Sequence, residues 1–175
     1  DTAMGTYREQ YAYDAVGNMS TMKHESSDAR QEHGSRSWTR DFAYELPSKT
    51  EPAKFANKMS SARVGGVREE FQYDVHGNTT RFPHLGGVAG TENVVYDFMD
   101  RMKKLDLGGG GTAYYTYDGT GKRVRKVIEK GANLTEERLY LRGLEIFRRK
   151  NAGGDVVLER ETVYVVDDKK RVAMV

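Results

Sequence analysis

The sequence has no cysteine, only three prolines and one tryptophan in 175 residues, and no long apolar run. Each absence removes a class of protein. Without cysteine there is neither a disulfide framework nor a thiolate metal site. A membrane-spanning helix needs about 20 successive apolar residues, and no stretch here approaches that. The first residues also lack the basic-then-apolar order of a secretion signal, so any export relies on a signal outside this sequence. Apolar material is scarce: the mean hydropathy is -0.76 and 31% of residues are charged, too little for a thick core. Such polarity alone would suit a disordered coil. Eleven tyrosines and six phenylalanines at regular positions argue instead for polar-faced sheet with a tyrosine-rich inner face.

The formal net charge of +2 and the pI near 8.7 give no bulk reason to expect nucleic acid or an anionic membrane as partner. The charge is uneven, however. Between Lys122 and Lys150, ten basic side chains face four glutamates, a local balance of +6. Because these residues alternate with Val124, Val127, Leu139, Leu141 and Ile146, the pattern reads first as the solvated face of a sheet. Its second reading is an anionic-ligand strip carried by Lys122, Arg123, Arg125, Lys126, Arg148 and Arg149.

Catalytic constellations are missing. Gly119-Thr-Gly121-Lys122 resembles the end of a phosphate-binding loop, but Thr116 stands where its first glycine belongs and Arg123 where a magnesium-binding hydroxyl belongs. His24, His33, His76 and His84 stand isolated from one another in the sequence, without the helical i, i+4 pairing of a metal face. Asp167-Asp168 reads as turn chemistry. No nucleophile elbow occurs. The expectation is a non-catalytic chain with no metal and no cofactor.

What the sequence does contain is a repeat. Tyr11-Ala-Tyr13-Asp14-Ala-Val-Gly17-Asn18 recurs as Phe71-Gln-Tyr73-Asp74-Val-His-Gly77-Asn78. In a strand the aromatic pair before Asp shares one face. Asp then opens a turn by accepting backbone N–H bonds, and Gly supplies the positive φ of a three-residue hairpin loop. Each unit therefore predicts strand, turn and returning strand, with His76 as an incidental loop residue. Looser copies carry Tyr44, Tyr96-Asp97, Tyr117-Asp118 with Gly121, Tyr140 and Tyr164. The signature tyrosines lie 31 and 29 residues apart at first, then 21 to 24 apart, a period that suits one hairpin plus its connection. Residues 45–62 and 83–91 read as loop insertions, the former with a short helix from Pro52 to Asn57, and the stretch from His24 to Ser37 as a loop or long hairpin tip. The chain stops at Val175 in what reads as an unpaired strand, the expectation for a fragment of a longer array.

The Tyr-Asp-x-x-Gly-Asn units, the variant from Tyr117 to Lys126, and Leu139 to Arg148 resemble the YD-repeat or Rhs (rearrangement hotspot) family. Glu159 to Val175 is similar to the stretch that leads into the Rhs core in bacterial members related to insecticidal toxin complexes. The resemblance covers nearly all of residues 1–175. It departs at Tyr44, Tyr140 and Tyr164, where no Asp follows. It implies an all-β fold, a continuous antiparallel strip of tandem hairpins that forms part of a hollow shell. The repeat positions it marks are Tyr13, Asp14, Gly17, Asn18, Tyr73, Asp74, Gly77, Asn78, Tyr96, Asp97, Tyr117, Asp118, Gly121, Tyr140 and Tyr164. The implied role is a wall segment enclosing or presenting a C-terminal toxin, with the rest of the shell and that cargo as partners and bacterial extracellular delivery as the setting. In the family a core segment performs self-cleavage; nothing in this chain matches it, so neither cleavage nor toxicity is assigned to residues here. The alternative is a surface adhesion module in which the basic strip from Lys122 to Lys150, aided by exposed tyrosines, meets carbohydrate or another anionic ligand; animal members with the same repeats are adhesion proteins. Neither reading involves nucleic acid, and open strand edges predict self-association.

Overall fold

The computed structural model describes residues 6–26, 37–86, 88, 90–167 and 170–174. The His24–Ser37 connection, His33, Asp168 and Val175 fall wholly or largely outside them. The architecture is all-β and antiparallel, built from consecutive hairpin strands and not closed into a barrel. It divides into two compact units, residues 1–72 and 73–175.

The first unit is a five-stranded sheet in sequence order: β1 (Tyr7–Tyr13), β2 (Met19–Ser26), β3 (Trp38–Ala43), β4 (Ser61–Val64) and β5 (Val67–Glu70). Its insertion at 45–62 holds no helix. Pro47 bridges Phe55, the Lys54 N–H donates to the Glu51 carbonyl at 2.8 Å, and the Ala56 N–H donates to Leu46 at 2.6 Å. Pro52 thus sits in a closed turn rather than at a helix start, because the segment is too short and too turn-rich to propagate a helix. Ser61 and Ala62 at its end already belong to β4.

The division between units falls within β6 (Gln72–Tyr73), which forms a two-stranded ladder with β7 (Thr79–Arg81). The second unit continues with an eight-stranded sheet: β8 (Val94–Tyr96), β9 (Met102–Asp106), β10 (Thr112–Tyr117), β11 (Arg123–Glu129), β12 (Thr135–Leu141), β13 (Leu144–Lys150), β14 (Val156–Asp167) and β15 (Lys170–Met174). Within this sheet every strand pairs with its sequence neighbour.

Among the described residues, the buried apolar side chains are only Ala62, Val94, Leu105 and Ala113. The last three cluster on one face at the β8–β10 end, covered by Phe82, Leu85 and Leu107. Arg81, also buried, donates to the Val88 and Thr91 carbonyls and so ties both to the end of β7. The Asn93 amide meets both backbone groups of Phe82 at 2.8 Å, a side chain standing in for a strand.

The pairing register separates the two faces of the sheet. Val94, Leu105, Ala113, Ile128, Glu136, Arg149 and Leu158 form one row across seven strands. A second row on that face runs Tyr115, Lys126, Arg138, Phe147, Arg160. The opposite face carries Val127, Glu137, Arg148 and Glu159 in line.

Candidate functional site

The recurring feature is the hairpin turn and its link to the hairpin before it. Asp14 accepts from the Val16 and Asn18 N–H groups at 3.0 and 2.8 Å, and from the Asn18 amide at 2.9 Å. Its own N–H donates to the Asn18 carbonyl, and Gly17, at φ 91°, closes the inner turn onto the Asp14 carbonyl. Asp74, Gly77 and Asn78 repeat these contacts. Asp118 uses Thr120, Gly121 and Lys122 in the same way. Asp97 does so with Arg101, whose guanidinium replaces the asparagine amide at 2.8 Å. Asp100 takes the glycine position there at φ 58°. Asn151 builds a related turn with Gly154 and Asp155.

These contacts favour the ionised carboxylate. Bonding by Asn18 holds Asp14 below the usual range, Asn78 does the same for Asp74, and Thr120 for Asp118. At Asp97 burial is the largest influence and pushes upward, but the Arg101 contacts outweigh it.

The signature tyrosines act one hairpin away from their own turn. The Tyr44 hydroxyl donates to the Met19 carbonyl (3.1 Å), Tyr96 to Thr79 (2.9 Å) and Tyr117 to Met102 (2.8 Å). Each acceptor is the residue that begins, or nearly begins, the return strand of the preceding turn. Tyr164 reaches back to the Glu145 carboxylate at 3.0 Å. Tyr140 differs: its ring lies 4.8 Å from the Arg123 guanidinium. Its hairpin turns in two residues, Arg142 and Gly143, with Leu141 opposite Leu144 and Gly143 at φ 80°. That tight turn has no place for the missing Asp. Tyr13 is largely exposed on β1, and Tyr73 lies in β6.

His76 is not incidental. Its Nδ1 lies 2.7 Å from Asp100, which also accepts from the Asn78 amide at 2.9 Å, so the Asp74 turn is tied to the Asp97 turn. His76 is chiefly what holds Asp100 below the usual carboxylate range. Twenty-four residues separate the pair, so no local pattern announces it. His24 is likewise placed, stacked between Tyr7 and Trp38 with both centroid distances at 5.4 Å, and 3.2 Å from Glu9. The described residues contain no group of three potential ligands able to hold a metal ion.

The six-residue basic strip does not form one surface. Arg125 and Arg148 lie on the face with Glu137 and Glu159, and pair with them. Lys150 also reaches Glu137, at 2.9 Å. Lys126 and Arg149 lie on the opposite face, Arg149 bonding Glu136 at 3.2 Å. A bulge between Thr116 and Tyr117 opposes Arg123 to Tyr117, and its guanidinium rests over Tyr115 and Tyr140 on the Lys126 face. Lys122 sits in the turn. Strand alternation and one bulge divide what looked contiguous.

No protein-family profile matches the sequence, and no curated protein matches it. Among solved structures, the crystal structure of TcdB2-TccC3-Cdc42 is similar at 15% identity and a TM-score of 0.43. The match covers 92% of this chain but 11% of the other, so the chain spans about a tenth of that protein's length. At this identity and superposition the likeness bears on neither residue roles nor function.

Proposed function

We propose that this chain is a non-catalytic wall segment of a tandem-hairpin shell, of the kind that encloses or presents an effector carried elsewhere in the same protein. One observation carries the reading. The Tyr44, Tyr96 and Tyr117 hydroxyls each donate to a backbone carbonyl of the preceding hairpin, so neighbouring hairpins within each unit are joined by repeated polar contacts instead of a deep core. A wall needs such joints because it is one layer thick and has little apolar surface to bury. The turn carboxylates are committed to backbone N–H groups, which leaves them in geometric roles.

Electron microscopy of the whole protein that carries this chain, combined with timed proteolysis of its cargo, tests the proposal. The expected result is a hollow particle whose cargo is cut far more slowly than the same cargo free in solution. A solid or open particle, or cargo cut at the free rate, would overturn it.

A further inference from the structure

We infer that the β11–β14 part of the Lys126 face is a docking surface for an acidic peptide segment, gripped by Arg123, Lys126 and Arg160. These three cations have no carboxylate within ion-pair distance among the described residues. They are held on aromatic rings instead. The Arg123 guanidinium lies 4.8 Å from the Tyr140 centroid and 5.6 Å from that of Tyr115, Lys126 lies 6.0 Å from Tyr115, and Arg160 lies 5.6 Å from Phe147. Arg123 and Arg160 are exposed. Burial, followed by the charges of Arg123 and Arg138, pushes the Lys126 ammonium below its ordinary range. Like charges crowded this way gain from a bound anion.

The chemistry of the anion follows from what the face already binds. Arg138 pairs with Glu145 and Arg149 with Glu136, so carboxylate is the partner its arginines take within the sheet. A guanidinium fixed on a ring presents its planar fork to a carboxylate with little rotamer freedom left to lose. The Tyr115, Tyr140 and Phe147 rings are the ones engaged by cations, and a face so engaged does not stack a nucleobase or a sugar. An extended segment bearing Asp and Glu satisfies these conditions. The inference does not depend on the shell reading, since it concerns one exposed face.

Fluorescence anisotropy of the full chain with labelled oligoglutamate tests it. Binding is expected at low salt and should fade as salt screens the charges. Arg123→Gln and Arg160→Gln should each weaken it about five- to tenfold, and Arg160→Lys, which keeps the charge but loses the fork, about twofold. Arg148→Gln, on the opposite face, should change it less than about twofold. Circular dichroism confirms that each variant keeps its sheet. No binding at low salt by the folded chain would overturn the inference. So would equal weakening by Arg148→Gln, or tighter binding of heparin or oligothymidylate that the same substitutions abolish.

Discussion

Two ends of one sheet face hold their strands by different means. At β8–β10 the face is dry: Val94, Leu105 and Ala113 are buried beneath Phe82 and Leu85. At β11–β14 the same rows continue as Glu136 bonded to Arg149 and Lys130, and as cations over rings. A single row therefore passes from Val94 to Arg149 without a break in register. Apolar burial stabilises where a covering segment excludes water. Without a cover, cross-strand ion pairs and cation–aromatic contacts hold the register at a smaller gain per pair. The low hydropathy of the sequence reflects how little of the sheet is covered.

The largest expected effect is at the dry end. Leu105→Ala should cost about 2–4 kcal/mol, because it opens a cavity under a fixed cover, and chemical denaturation of the variant measures it. A cost no greater than that of Leu158→Ala, in the same row at the open end, would erase the distinction.

Acid should act the other way round. Lys130, the main influence, holds Glu136 below its ordinary range; at Glu137 burial is the largest influence and opposes, but Lys150 and Arg125 prevail. Both folded pKa values lie below the unfolded ones, so the stability they contribute is present above the unfolded pKa and is lost as pH falls through the folded one. Loss is expected to begin near the ordinary glutamate pKa of about 4.3 and to continue as pH falls below it. Amide hydrogen-exchange protection, taken relative to the intrinsic rate at each pH, should fall in β11–β14 before β8–β10 as the solution is acidified. Simultaneous loss of protection would show that the two ends open as one.

A smaller difference separates two tyrosines. Tyr117→Phe removes the hydroxyl bond to Met102 and should cost about 1 kcal/mol. Tyr140→Phe should cost less than about 0.5 kcal/mol, since its hydroxyl makes no hydrogen bond among the described residues. Matched thermal melts compare them. One substitution should bring a gain of similar size: Ala132 holds φ 59° in the turn between β11 and β12, and Ala132→Gly should stabilise by about 0.5 kcal/mol. A loss in the same melts would show that the alanine methyl is worth more than the strain.

Local chemistry was legible in the sequence and long-range placement was not. Asp74, Gly77 and Asn78 specify their turn within five residues, and aromatic alternation specifies the strand before it, so the hairpins and the all-β class could be read directly. The turn at Pro52 was misread as helical because a proline suits both. The bond between His76 and Asp100 depends on two turns lying side by side, which no spacing rule encodes. The basic strip looked single because a linear count ignores the period of two, and the bulge before Tyr117 then carried Arg123 to the other side. The tyrosine hydroxyls were missed for a related reason: the alternation says which face a ring occupies but not which earlier carbonyl it meets.

Those hydroxyls share a direction. Tyr44, Tyr96, Tyr117 and Tyr164 all donate to residues earlier in the chain. A ribosome extrudes the chain from its N-terminal end, so every acceptor leaves the tunnel before its donor. Each new hairpin can therefore lock onto a finished template as it emerges, and the order of synthesis becomes the order of assembly.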